Sequence, residues 1–157
     1  RAFAAMQHKD CELWLAGDGS LRREVELAIG ATGLADRVRL LGIREDVPEL
    51  LAQADCFVMA SLWEGLPLAI LEAGAAGLPV VAPPVGTISE LLSDDCGYLT
   101  DACEINRALD AVLDDYFVAS RRGERLRRKV IQGFSLQRMA KSHATLYASL
   151  RSHHRAA

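Results

Sequence analysis

The sequence predicts an α/β domain built on a doubly wound parallel sheet, and three observations carry that expectation. Short apolar runs alternate with runs of helical period from residue 11 to residue 99. Each short run is apolar throughout instead of alternating, as a strand covered on both faces requires. Glycine or proline stands at most of the junctions.

The elements follow in order. The opening Arg-Ala-Phe-Ala-Ala-Met reads as the second half of an amphipathic helix. Residues 11–16, Cys-Glu-Leu-Trp-Leu-Ala, form a strand ended by Gly17-Asp18-Gly19, and Ser20 is placed to cap a helix running to about residue 29. A second unit repeats the pattern: strand 38–41 stops at Gly42, and Asp46 caps a helix over 47–52 whose first turn tolerates Pro48. Residues 56–60, Cys-Phe-Val-Met-Ala, are the most strand-like run. They lead through 61–66 into a helix over 67–76 that Gly77 terminates. Strand 79–82, the loop 83–87, a short helix over 88–92 and a brief strand at 98–99 complete the alternation. From Glu104 the pattern is helical only, with helices expected over 105–117, 124–132 and, capped by Ser135, 136–152, all packed outside the sheet. No linker or repeat divides the chain, so residues 1–157 read as one domain.

Composition narrows the function. A chain of 157 residues can bury about two thirds of its unfolded surface, so neither disulfides nor a metal is needed to hold it. A net charge of −3 gives no electrostatic case for nucleic acid as a partner. Cys11, Cys56, Cys96 and Cys103 are scattered without a C-x-x-C pair and read as reduced cytosolic thiols. No apolar run approaches the roughly 18 residues that cross a bilayer, and the first ten residues lack the features of a signal peptide, so an intracellular, cytoplasmic location is expected. The absence of an initiator Met and the mid-helix opening point to a piece of a longer protein.

In a parallel sheet the loops after the strands gather along one edge, where ligands bind. Four loops qualify, beginning at Gly17, Gly42, Ser61 and Pro83. In the third, Gly65 and Pro67 set up a helix start whose free N–H groups at Leu66, Leu68 and Ala69 can face an anion, or simply water. Glu72 stands among Leu68, Ala69, Ile70, Leu71, Ala73, Ala75 and Ala76 on a helix with no evident polar face. A buried, unpaired carboxylate would have to reach a partner, either the two hydroxyls of a cis-diol or an Arg or amide of the protein. Glu64 lies in the loop before the helix, where it could accept from a sugar hydroxyl or face solvent. His8, His143 and the pair His153-His154 lie away from these loops, and no Asp-x-Asp occurs, so no metal site and no cofactor is expected.

The run from Glu64-Gly65-Leu66-Pro67 to Glu72-Ala73, continuing through Gly77-Leu78-Pro79 to Glu90, resembles the signature of the retaining glycosyltransferases of family 4, whose hallmark is two glutamates with seven residues between them. The Gly-Asp-Gly loop, the Leu-Leu-Gly strand end, the Asp-Val-Pro-Glu-Leu-Leu helix start, Ala-Asp-Cys-Phe-Val before the motif and Phe134-Ser135 follow the family's serial order. The resemblance implies the donor-binding, Rossmann-like half of a two-domain GT-B enzyme that takes a sugar from a nucleotide diphosphate-sugar. It implies that Glu72 holds the ribose hydroxyls and that Glu64, the catalytic residue of the pair, contacts hydroxyls of the donor sugar. Amides of Gly65, Leu66 and Leu68 around Pro67 would meet the sugar or diphosphate, Gly17 would lie at the same edge, and the Ile43-Arg44 backbone would border the base. Metal-independent chemistry is implied, with basic side chains and helix amides stabilising the departing diphosphate.

The resemblance further implies a preceding strand, with a loop of Arg and Lys, and an acceptor domain, all lying before Arg1; a fragment without them would not catalyse. That strand would sit between 11–16 and 56–60, so the sheet should show a slot there or close up. Relatives often carry two glycines where this chain has Gly86-Thr87. The basic run 121–129 could dock on anionic lipid at the inner face of the membrane, but reads better as a solvated outer face. A non-catalytic nucleotide-sugar binding module is the alternative function, disfavoured because both glutamates are present. A nicotinamide-dependent dehydrogenase is disfavoured because no G-x-G-x-x-G follows a strand.

Overall fold

The computed structural model describes residues 1–93 and 95–154, with 152–154 given by backbone alone. Among them, β1 (Leu13–Ala16) pairs with β2 (Val38–Gly42), and β3 (Phe57–Val58), β4 (Val80–Ala82) and β5 (Tyr98–Leu99) pair in that order, every pair parallel. The helices are α1 (Ala2–Ala5), α2 (Arg22–Thr32), α3 (Val47–Gln53), α4 (Leu68–Ala76), α5 (Ile88–Leu91), α6 (Ile105–Asp114), α7 (Tyr116–Gly133) and α8 (Leu136–His154).

β4 shows why the uniformly apolar strand pattern works. Its three residues are fully buried and alternate between two cores. Val80 and Ala82 turn toward Ile70 and Ala73 of α4 and Leu126 and Val130 of α7. Val81 turns the other way, toward Ile105 and Val112 of α6 and Ala119 of α7. The sheet is therefore covered on both faces, and the doubly wound architecture expected from the sequence is present.

The coverage is uneven. Only Val38 of the first sheet is buried, packed under Phe3 and Met6 of the opening segment and against Leu109 and Leu113 of α6. α2 buries no residue. A cleft of about 1220 Å3 lies between β1 and β3, walled by Leu13, Trp14 and Leu15 on one side and Phe57 and Val58 on the other, with α3 residues over one face and Leu109 and Leu113 over the other. The sheet is thus split where the slot was expected. Asp110 of α6 ties the first sheet's side to the body: its buried carboxylate accepts from the amide of Gln7 through both oxygens, at 2.9 and 3.0 Å, and from the amide of His8 at 3.2 Å.

Several boundaries differ from the sequence expectation. The strand expected over 56–60 is ordered as pairing only at Phe57–Val58. Ser20 does not cap α2, which starts at Arg22 after Leu21 and runs on to Thr32. Asp46 stands at the start of α3, but its carboxylate is taken by Arg44 and caps nothing. Ser135 does cap α8, accepting from Arg138 N at 3.2 Å. The helices expected over 105–117 and 124–132 divide elsewhere: the chain breaks at Asp115, whose side chain caps Val118 N at 3.0 Å, and α7 then runs unbroken through Gly123. A Cβ at Gly123 would overlap the Gly77 carbonyl and the Leu78 backbone, so glycine is there for the close crossing of α7 on the end of α4, not to end a helix. α6 and α7 pack outside the sheet, whereas α8 is exposed over residues 136–151.

The basic run is only partly the solvated outer face expected, because half of its cations are half-buried and engaged by the protein. Arg122 stacks 4.3 Å from the Tyr98 ring centroid and donates to the Gly97 carbonyl at 2.9 Å. Arg125 donates to the Asp95 carbonyl, and Lys129 to the carbonyls of Glu90 at 3.0 Å and Leu91 at 2.7 Å. Three cations on one face of α7 thus satisfy carbonyls at the end of α5 and in the loop that follows, which also suits the negative end of a helix. No helix among the described residues is long and apolar enough to cross a membrane.

Candidate functional site

The loops after the strands fall into two groups along one edge. In the first, Gly17 adopts φ 124°, which favours glycine, and its N–H donates to the Gly42 carbonyl at 2.7 Å, bringing the first two loops together. Asp18 accepts from Gly19 N at 2.7 Å and pairs with Arg22 at 3.0 Å, while Arg22 also meets Glu26 at 3.0 Å. Those two acids, Glu26 first, hold the Arg22 guanidinium above its ordinary pKa. Arg44 forms a forked pair with Asp46, at 2.7 and 2.5 Å, which holds the Asp46 carboxyl below its usual range. The Arg44 charge is thus spent locally, and what this loop offers a ligand is its backbone and Ile43, which is 82% exposed.

The second group joins the loop after β3 to the loop after β4. Glu64 is half-buried, and its Oε1 accepts from the Ser61 hydroxyl at 2.6 Å. The Thr87 hydroxyl donates to the Gly65 carbonyl. Pro67 is buried and seats the helix start, while Leu62, Trp63, Leu66 and Leu68 form an exposed apolar lip. α4 begins one residue later than expected, at Leu68. The amides of Ile70 and Leu71 go to the Pro67 carbonyl, and those of Leu66, Leu68 and Ala69 have no protein acceptor among the described residues. An anion can be received there by three free donors.

Glu72 differs from the expectation. It is exposed, not buried, because α4 does have a solvent face, made by Leu68, Glu72, Ala75 and Ala76. No desolvation penalty therefore forces it to find a partner. It makes no hydrogen bond or ion pair among the described residues, so neither an internal Arg nor an amide has claimed it. Its place on the helix is informative: at about 100° per residue it lies roughly 60° from Ala69, and Ala69 lines the cleft between the sheets.

The structure brings Glu64 and Gly65 together with Gly86 and Thr87, and Gly17 with Gly42. Sequence reasoning missed Ser61, although a hydroxyl three residues before Glu64 in a turn lies within reach of its carboxylate. It also missed Asp110 and the carbonyl-binding role of Arg122, Arg125 and Lys129, which no local pattern signals. Among the described residues no three His, Cys, Asp or Glu side chains gather as a metal ion would require; His153 and His154 have side chains outside the described residues.

Residues 1–115 match the family model of the glycosyl transferases group 1. The chain is 31% identical over 140 residues to the UDP-Gal:alpha-D-GlcNAc-diphosphoundecaprenol alpha-1,3-galactosyltransferase of Escherichia coli, covering 87% of this chain and 36% of that protein. It is 32% identical over 152 residues to the N-acetyl-alpha-D-glucosaminyl L-malate synthase of Bacillus anthracis, covering 94% of this chain and 40% of that one. Its backbone resembles HepE of Anabaena, solved in complex with UDP-glucose, with a TM-score of 0.89 and 26% identity over 94% of this chain and 43% of HepE. The chain thus spans about two fifths of the length of the relatives it matches.

Proposed function

The chain belongs to the glycosyl transferases group 1 family, and from that premise we propose that it is the donor-binding part of an enzyme that moves a sugar, with retention, from a nucleotide diphosphate-sugar to an acceptor. One observation carries the reading: Glu72 presents an unclaimed carboxylate one turn into α4, beside a helix start with free amides at Leu66, Leu68 and Ala69. A carboxylate accepts two hydroxyl hydrogen bonds from a ribose cis-diol, and the amides meet a diphosphate or sugar oxygen at the positive end of the helix. Glu64 accepts from a donor-sugar hydroxyl through Oε2, since Oε1 is occupied by Ser61. Gly17 and the Ile43-Arg44 backbone border the nucleotide. HepE, similar in backbone, was solved with UDP-glucose, which supports a nucleotide-sugar at this edge.

In this reading the acceptor oxygen bonds to the anomeric carbon on the face from which the diphosphate oxygen departs, and the acceptor's proton passes to that departing oxygen. The charge building on the diphosphate is met by helix amides and basic side chains, without a metal. The remainder of the longer protein supplies the acceptor side, and residues 1–157 alone do not catalyse. The free thiols among the described residues suit the reducing cytoplasm. Contact with the inner membrane face would rest on Arg121 and Arg128, because Arg122, Arg125 and Lys129 are engaged and Arg127 pairs with Glu124 at 3.6 Å.

The test is calorimetry on the full-length protein with UDP-, GDP- and ADP-sugars, with Glu72→Gln alongside. Loss of a charged acceptor should weaken the preferred donor and its nucleoside diphosphate alike, by about tenfold or more. Unchanged affinity in Glu72→Gln would refute the role given to it.

A further inference from the structure

We propose that Ser61 and Thr87 are positioning residues that aim the Glu64-Gly65 turn at the sugar of the donor, and so govern how well the sugar, as opposed to the nucleotide, is held. This rests on the donor-site reading above and assigns a role to two side chains outside the glutamate motif.

The turn has little else to fix it. Leu62, Trp63 and Leu66 are 89%, 76% and 54% exposed, so apolar packing holds the loop between β3 and α4 only at Pro67, where it enters the helix. Its other fixed points are two hydroxyls and one close backbone approach. Ser61 Oγ donates to Glu64 Oε1 at 2.6 Å, which holds the carboxylate and leaves Oε2 without a protein partner among the described residues. Thr87 Oγ1 donates to the Gly65 carbonyl from 22 residues away. Beside it Gly86 has φ 53°, and a Cβ there would overlap the Glu64 carbonyl, so the loop after β4 can lie this close only because that residue is glycine.

Thr87 is the more telling of the two. It occupies the residue before α5, where a threonine ordinarily accepts from an amide of the first turn. Here it makes no such cap bond and spends its hydroxyl on the neighbouring loop. α5 is a firm base for that reach: Ile88 and Leu91 are buried, and its last carbonyls are held by Lys129 of α7. A rigid line therefore runs from α7 through α5 and Thr87 to the turn that carries Glu64. Glu72 shares no hydrogen bond with Ser61 or Thr87, so loosening the turn leaves the ribose contact in place, independent of the sugar contact.

That independence makes the proposal testable. Full-length protein, Ser61→Ala, Thr87→Val and Thr87→Ser are titrated calorimetrically with UDP-, GDP- and ADP-glucose to find the preferred donor, then with that donor and its nucleoside diphosphate. Freeing one ordered side chain or turn should weaken the sugar-nucleotide about 3- to 10-fold in Ser61→Ala and Thr87→Val, leave the nucleoside diphosphate unchanged, and be restored in Thr87→Ser. If wild type binds none of the three donors or their nucleoside diphosphates, the donor-site reading falls and this proposal with it. If wild type binds but the variants weaken sugar-nucleotide and nucleoside diphosphate equally, or weaken neither, or Thr87→Ser behaves as Thr87→Val, the positioning role alone is overturned.

Discussion

Replacing Gly123 by alanine sets two effects of opposite sign against each other. In an exposed helix interior the change gains about 0.8–1 kcal/mol, because alanine loses less backbone entropy. Gly30 of α2 is such a site: it is exposed, and a Cβ there meets nothing within 4 Å. At Gly123 the same methyl would fall on the Gly77 carbonyl and the backbone of Leu78. That backbone cannot rotate aside, since it ends α4 and feeds directly into Pro79 and Val80, both fully buried. Overpacking of this kind costs about 1–3 kcal/mol. With immovable backbone as the obstacle the upper part of that range applies, so the net effect should be a loss of about 1–2 kcal/mol. Gly30→Ala should instead gain about 0.5–1 kcal/mol. The two variants should then differ by about 1.5–3 kcal/mol, or roughly 3–12 °C in Tm for a domain of this size. Urea unfolding at a common pH measures it, with the m-value checked for constancy. A Gly123→Ala midpoint equal to or above wild type would refute the claim that α7 crosses α4 at backbone contact.

Asp110→Ala removes the acceptor for the Gln7 and His8 amides and should cost about 2–3 kcal/mol, with faster hydrogen exchange at those two amides; a loss under about 0.5 kcal/mol would show the anchor to be incidental. Lys129→Met, which strips two carbonyls of their donor, should cost about 1–2 kcal/mol in urea unfolding. Arg128→Met should be nearly silent, because Arg128 makes no hydrogen bond or ion pair among the described residues. Burial, with the nearby Asp55 charge, pushes the Cys56 thiol up to about 12. At pH 8 it should react with a thiol reagent far more slowly than exposed Cys103. The sign of its linkage follows: the folded pKa lies above the ordinary value of 9.0, so its contribution is intact below pH 9 and is lost between pH 9 and about 12 as the unfolded chain ionises first. Cys56→Ala should flatten that decline in midpoints measured from pH 8 to 11.

What could be read in the sequence was what neighbours in the chain decide. Helix α4, its Gly77 terminus and strand β4 lie within a residue of where periodicity and punctuation put them, because their signals are local. The slot between β1 and β3 was also foreseen, though from the family's strand order and not from composition. The failures share a cause. Glu72 was expected to be buried because its helix is apolar in composition, but only contact with the sheet and α7 decides which stripe is covered, and residues 68, 72, 75 and 76 are left outside. The basic run looked like a solvated face because the carbonyls it satisfies, at residues 90, 91, 95 and 97, belong to a distant segment. Gly123 was expected to lie between two helices, and the reason it sits inside one, its close approach to the Leu78 backbone, is 45 residues away in sequence and in contact in space.

The same division runs through the site. The two glutamates are visible at their spacing of eight, and Ser61 could have been found from its Ser-x-x-Glu spacing to Glu64. Thr87 could not, since its donation to Gly65 spans 22 residues and forgoes the cap bond that its position would ordinarily predict. A side chain that departs from its local rule has been recruited by something non-local, and such departures are where the geometry of a ligand site is set. By that criterion Glu72, which breaks the apolar run of α4 yet pairs with nothing among the described residues, and Thr87, which forgoes its cap, are departures of two kinds. The first is open to a ligand and the second is already satisfied by the protein, so under the proposed function one should govern binding of the whole donor and the other only of its sugar.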